Sequence, residues 1–203
     1  MKRMPRDFNF DRKADAFDGG CQGRASQRFY DLLYGEVKLH KGMRLLDVGC
    51  GTGTVLRTLA DAGAIEGSGI DVSENMVRLA RRKCPEMDIR ISGCEATPFA
   101  DRSFDALIAC MSYHHFADKR AFARESARLL APGGRLYIAD GRLPEALRRT
   151  VNGGARLFGV AAEFQARAQI ESLFAEYGFT PDGYAVRGIA QIVTLVRNNI
   201  TGS

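Results

Sequence analysis

From Met43 onward, short apolar runs bounded by turn residues alternate with stretches in which apolar positions recur every three or four residues. The runs at 44–48, 66–71, 87–92, 104–110 and 134–139 predict β-strands. Helical spacing occupies 54–62, 74–83 and 119–130. Ser73 suits the N-cap of the second helix, with Met76 at its third position, and Pro132-Gly133-Gly134 stops the third and turns into the fifth strand. Strand–helix alternation of this kind predicts a parallel sheet covered by helices on both faces. Residues 141–163 break the rhythm and read as an inserted segment. A helix near 166–177 ends at Gly178, and runs near 182–187 and 189–197, separated by Gly188, predict a closing hairpin. Ahead of the first strand, residues 1–40 form an N-terminal arm in which Arg24 to Glu36 is helical, with Phe29, Leu32 and Leu33 as its apolar face.

A chain of 203 residues with 45% hydrophobic and 26% charged content suits a single α/β domain with a substantial core, here 41–203 with a substrate-pocket insertion at about 141–163. No apolar run approaches the roughly 20 residues of a membrane span. The basic Met1-Lys2-Arg3-Met4-Pro5 is not followed by an apolar stretch, so no secretory signal is expected and the cytoplasm is the expected compartment. Cys21, Cys50, Cys84, Cys94 and Cys110 are odd in number and show no Cys-x-x-Cys spacing, which argues against a disulfide framework or zinc knuckle and for a reducing compartment. Net charge is +5, but Arg78, Arg81, Arg82 and Lys83 lie on one predicted helix and Arg142, Arg148 and Arg149 on another segment, a spread that suits solvated helix faces better than a nucleic-acid surface.

Candidate chemistry concentrates where the first strand ends. Arg-Leu-Leu-Asp-Val-Gly-Cys-Gly-Thr-Gly, residues 44–53, carries a strand through an acid into a glycine turn and then a helix. Glycine lets backbone approach a ligand, and the helix start offers unpaired N–H groups and a positive dipole end. A dinucleotide fingerprint would place its third glycine at position 54, which is Thr54. Asp47 would also repel a pyrophosphate, whereas it would hold a cation. Asp71 ends the second strand, where an acid of a doubly wound sheet reaches ribose hydroxyls.

Leu-Leu-Asp-Val-Gly-Cys-Gly-Thr-Gly, Gly-Ile-Asp-Val-Ser-Glu-Asn-Met, Pro-Phe-Ala-Asp-Arg-Ser-Phe-Asp-Ala-Leu and Arg-Leu-Leu-Ala-Pro-Gly-Gly-Arg-Leu resemble the class I S-adenosylmethionine-dependent methyltransferases, most closely their small-molecule branch, over about residues 40–140. The resemblance implies a Rossmann-like seven-stranded sheet of order 3-2-1-4-5-7-6 with strand 7 antiparallel, and S-adenosyl-L-methionine as cofactor. It implies that Asp47, Gly49, Cys50, Gly51 and Gly53 surround the methionine part, that Asp71 holds the ribose, and that Val72 and Met76 flank the adenosine. Cys110, at the end of the fourth strand, belongs to the same cofactor set. Phe17, in an arm that covers the cofactor, would lie against the sulfonium or else pack the arm onto the core. One departure concerns the adenine. Where the family often carries an acid after strand three, this chain reads Ser92-Gly93-Cys94-Glu95, so recognition would pass to the Cys94 backbone N–H or to Glu95.

His114 and His115 follow strand four at the edge where ligands of open α/β sheets bind, and either is a candidate general base; a ring that merely donates to a backbone carbonyl is the competing reading. No ligand cluster accompanies them, so no metal is expected. Cys110-Met111-Ser112-Tyr113 stands where DNA-amino enzymes carry Asn/Asp-Pro-Pro-Tyr/Phe, and there is no Pro-Cys dipeptide, which speaks against base-flipping chemistry. The sequence therefore reads as a methyltransferase of a small-molecule acceptor, a monomer or homodimer without a nucleic-acid partner. A non-catalytic cofactor-binding protein and an RNA methyltransferase are the competing readings.

Overall fold

The computed structural model describes residues 21–63, 65–157 and 163–198. Seven strands, β1 Arg44–Val48, β2 Glu66–Asp71, β3 Asp88–Ile91, β4 Phe104–Cys110, β5 Leu130–Gly141, β6 Phe179–Arg187 and β7 Ala190–Arg197, form one sheet of order β3-β2-β1-β4-β5-β7-β6. Only β7 is antiparallel to its neighbours. Topology and orientation are those implied by the resemblance.

The side-chain period of two sorts each central strand onto two cores. Leu45, Ile108, Tyr137 and Ile192 join the core beneath helices α1 Cys21–Glu36, α2 Thr54–Ala62 and α3 Glu74–Lys83. Leu46, Leu107, Ile138 and Val193 face the opposite core, with Phe122 of α4 Lys119–Leu129 and Phe174 of α6 Arg167–Ala175. The inserted segment contains a further helix, α5 Glu145–Leu157. In α1, Phe29 and Leu33 are buried and Leu32 packs half-buried against them. Ser73 caps α3 as expected, its Oγ accepting from the Met76 N–H at 3.2 Å.

Three strand boundaries differ from the sequence reading for identifiable reasons. β3 is shorter because it is an edge strand paired with β2 alone. β5 begins at Leu130, since Phe104 pairs with Leu130 and Ala106 already with Arg135; Pro132-Gly133-Gly134 is thus an irregularity inside the strand rather than a turn before it. β6 starts at Phe179 because pairing with β7 continues past the break between Pro181 and Gly183.

The β1–α2 turn fixes the site. Gly49, Gly51 and Gly53 have φ of 77°, 52° and 78°, the left-handed region. The N–H groups of Gly49 and Cys50 both donate to the Ile70 carbonyl, at 2.8 and 2.9 Å, which ties the turn to β2. A Cβ on Gly49 would stand 2.5 Å from the Cβ of Ser112, whose hydroxyl donates to the Val48 carbonyl at 2.7 Å. A Cβ on Gly51 would meet nothing within 4 Å. Gly51→Ala should therefore cost only the left-handed strain, about 1–2 kcal/mol. Gly49→Ala should add an overpacking cost of roughly 1–3 kcal/mol. Denaturant midpoints at equal m-value measure both, and equal losses would contradict the steric account.

Candidate functional site

The order of the sheet reverses between β1 and β4, so connections leave in opposite directions and open a crevice at the carboxyl ends of the strands. A cavity of about 490 Å³ fills it, a size ordinary for small-molecule sites. Asp47, Gly49, Cys50 and Gly51 line it from β1, and Asp71, Val72 and Met76 from β2 and α3. Cys94 and Glu95 close the side toward β3, and Cys110 and His115 the side toward β4. Ser26 and Tyr30 of α1 complete the wall. Two expected residues stand elsewhere: Gly53 and His114 are absent from the lining. Gly53 is the N-cap of α2 and packs toward Ala80 and Cys84, where a Cβ would lie 3.2 and 3.4 Å from their atoms. Phe17 lies outside the described residues.

Asp47 is the electrostatic centre. It is 2% exposed, and among the described residues its Oδ1 has no hydrogen-bond partner. Burial, with the Asp71 charge adding to it, pushes its carboxyl up to about 8. Asp71 is bound differently. Its Oδ2 accepts from the Gly51 N–H and its Oδ1 from the Ser73 N–H, both at 2.9 Å, so it orders the turn as well as facing the cavity. Beside the turn, Lys83 Nζ donates to the hydroxyls of Thr54 and Thr52, at 2.6 and 3.2 Å, bringing a cation to the mouth of the cradle.

The apolar surface lies further along β2. Val72 is 49% exposed although apolar, and with the buried Met76 offers a flat ring two faces to rest on. Gly93 leaves room that Glu95 uses: Glu95 Oε2 lies 2.6 Å from where a Cβ on Gly93 would stand. The carboxylate folds back over the exit of β3. Met111, at the end of β4, has φ of 54°, unusual for a side chain of its size, and lines the same cavity.

His114 sits behind this lining, 6% exposed, with Nδ1 2.7 Å from Asp140 Oδ1. Asp140 is not among the residues singled out from the sequence, although an acid at the end of β5 repeats the strand-end signal of Asp71. Among the described residues no group of three or more His, Cys, Asp or Glu is placed to hold a metal ion.

This constellation fits a nucleoside ligand with a cationic end and no phosphate. An unpartnered buried acid waits for a positive charge, a glycine without Cβ neighbours leaves room for a ligand beside it, and a second acid stands where sugar hydroxyls would come. The folded state keeps a proton on Asp47 that the unfolded chain, with its carboxyl near 3.8, loses. Stability of the ligand-free protein should therefore fall as pH rises from about 4 to about 8. Asp47→Asn should flatten that slope and raise the melting temperature at pH 8, while weakening any cationic ligand. Thermal scans from pH 5 to 8 would contradict the assignment if both proteins responded alike.

Residues 46–138 match the family model described as a methyltransferase domain. The 27-O-demethylrifamycin SV methyltransferase of Amycolatopsis mediterranei is 36% identical over 122 residues, covering 57% of this chain and 45% of that protein. An O-methyltransferase of Aspergillus sclerotiorum is 33% identical over 167 residues, covering 76% and 61%. The chain thus spans about half the length of these relatives. In the solved complex between the Haloferax volcanii Trm112 methyltransferase activator and a methyltransferase, one chain superimposes with a TM-score of 0.77 at 20% identity, covering 94% of this chain and 98% of that one. Sheet order, the placement of the glycine turn and this similarity are together those of the class I S-adenosylmethionine-dependent methyltransferases, which the chain resembles over residues 46–138.

Proposed function

We propose that the protein transfers a methyl group from S-adenosylmethionine to a small-molecule acceptor. The observation that carries this reading is the buried, unpartnered Asp47 oxygen beside the glycine turn. When bound, S-adenosylmethionine supplies a methyl group activated by a positively charged sulfur. Asp47 takes the cationic amino-acid end, and Gly49, Cys50 and Gly51 let that end lie against the backbone. Asp71, held in place by the Gly51 and Ser73 N–H groups, accepts from the ribose hydroxyls. Val72 and Met76 flank the adenine, and Glu95 and the Cys94 N–H face its polar edge. Ser26 and Tyr30 of α1 wall the cavity on the remaining side, leaving alignment of methyl and acceptor as the main work of the site.

The small-molecule acceptor is supported by the relatives, which are named for a rifamycin and for O-methylation. No helix among the described residues is long and apolar enough to cross a membrane. A reducing, cytoplasmic setting suits the four buried free cysteines Cys50, Cys84, Cys94 and Cys110.

Calorimetric titration with S-adenosylhomocysteine and with NAD tests the reading. The homocysteine adduct should bind and NAD should not. Asp71→Asn, which keeps the side-chain shape, should weaken the adduct by roughly 10-fold or more, the loss expected for hydrogen bonds to a charged group. Glu95→Gln should reduce the preference for the adenine adduct over its hypoxanthine analogue. Preferential NAD binding, or unchanged affinity in Asp71→Asn, would overturn the assignment.

A further inference from the structure

Between β3 and β4 the chain runs through residues 92–103 without helix or strand, and the first part of this loop brings Cys94 and Glu95 to the cavity. That part is fixed at two points. At its start, the Ser92 N–H donates to the Asp71 carbonyl at 3.0 Å. At its end, Thr97 gives both its N–H and its hydroxyl to Oε1 of Glu125 in α4, at 2.7 and 2.8 Å. Residues 93–96 bridge the interval between these two anchors.

Glu125 is 7% exposed and is held in turn by Arg128, one helical turn further on. The guanidinium forks onto the carboxylate, Nε donating to Oε2 at 2.9 Å and Nη2 to Oε1 at 2.6 Å. Nη1 reaches across to the loop, meeting the Phe99 carbonyl at 2.9 Å and Asp101 Oδ1 at 2.6 Å. Burial pushes the Glu125 carboxyl up, but the bonds from Arg128 and Thr97 outweigh it and hold it below its usual value, so the pair is charged at neutral pH. The clamp joins residues 98–107 to residues 128–136, two of the segments on which the family resemblance rests, and neither segment lines the cavity. The far part of the loop has an anchor of its own. Phe99 meets Phe104 edge-on with centroids 5.1 Å apart, and Arg90 lies 4.7 Å over the Phe99 ring and donates to the Pro98 carbonyl at 3.1 Å. Packing thus closes the loop without the ion pair, and a buried ion pair is a poor source of added stability. What the rigid fork supplies is direction, at a point two residues from Glu95.

We infer that Glu125 and Arg128 are positioning residues for adenine recognition: they set the bridge 93–96, and through it the reach of the Glu95 carboxylate and the Cys94 N–H to the polar edge of the ring. The inference rests on the methyl-transfer reading above. With glycine at position 93, the acid nearest the ring edge is Glu95, whose Oε2 folds back to within 2.6 Å of where a Cβ on Gly93 would stand. A carboxylate that reaches back in this way is aimed by its backbone, so a displacement at Thr97 is passed on to the ring. The consequence depends on the base. A carboxylate only accepts, and the adenine amino group donates to it; the carbonyl that replaces that group in hypoxanthine does not. Misaiming Glu95 therefore penalises the adenine ligand selectively, whereas a general loosening of the fold penalises both.

Titration calorimetry of the full chain with S-adenosylhomocysteine and with S-inosylhomocysteine, its hypoxanthine analogue, reads the effect as a ratio of affinities. Arg128→Lys keeps the charge and loses the fork. It should lower the adenine-over-hypoxanthine ratio by roughly 2- to 30-fold, the range for a residue that acts through others. Thr97→Val removes only the hydroxyl bond to Glu125, should move the ratio in the same direction, and serves alone where Arg128→Lys does not fold. In a Glu95→Gln background either substitution should leave the ratio within about twofold, because the group they aim has been altered. Equal losses for the two ligands, a wild-type ratio near one, or a ratio that falls as far in the Glu95→Gln background would overturn the inference and leave the clamp as a fold element. A wild type that binds neither ligand would instead remove the methyl-transfer reading.

Discussion

Burying a carboxyl group with an oxygen left unpartnered works against folding, and here it happens at the middle of the sheet. Asp47 belongs to β1, whose neighbours β2 and β4 shield it on both sides, and Ser26 and Tyr30 of α1 stand over the same cavity. The cost is borne as a shift of its carboxyl to about 8 rather than as a buried bare charge. Everything around it can be read as accommodation. The left-handed glycines turn the backbone away, β2 and the turn share the Ile70 carbonyl, and Asp71 satisfies the N–H groups that Asp47 does not reach. On the proposed reading, a cation entering the crevice would convert the unfavourable acid into a binding group, so the feature that weakens the empty fold would be the one that selects its ligand.

The three glycines of the turn do separate work, although their spacing suggests one role. Gly49 lets β4's exit, through Ser112, come within contact of the turn, and Gly53 lets α2 start against α3. Gly51 alone is free of both neighbours, so the volume its missing side chain leaves opens onto the cavity. Sequence spacing cannot divide these roles, because each depends on what the rest of the chain brings opposite. That is why the motif alone does not show that Gly53 also lets α2 pack against Ala80 and Cys84.

Much of the frame was legible because its signals are local. β1, β2, β4, α2 and α3 fall where periodicity and capping put them, since each is a central strand or a capped helix with a strong apolar face. The misjudged boundaries, at β3, β5 and β6, are those decided by partners distant in sequence. The same division runs through the site. Asp47, Asp71, Met76 and Cys94, singled out from motif and strand end, all line the cavity, whereas His114 and His115, adjacent in sequence, could not be told apart. Tyr113, His114 and His115 form a single 3₁₀ turn, which aims successive side chains in different directions; His115 lines the cavity and His114 meets Asp140. Asp140 itself was visible as an acid at a strand end, but its role required knowing which loop crosses it.

The three strand-end aspartates of one sheet edge show how partner supply sets chemistry. Asp71 is met by two backbone N–H groups, Asp140 by two backbone N–H groups and an imidazole, and the Oδ1 of Asp47 by nothing among the described residues. The residue type is constant, and so is its distance from the centre of the edge to within a strand or two. What differs is the backbone each strand hands on: β2 enters a capped helix, β5 enters the inserted segment, and β1 enters a turn whose N–H groups are already spent on Ile70. An acid with its N–H donors in place can orient other groups. An acid deprived of them can only wait for a charge, and in this fold that deprivation is built by the glycine turn next to it.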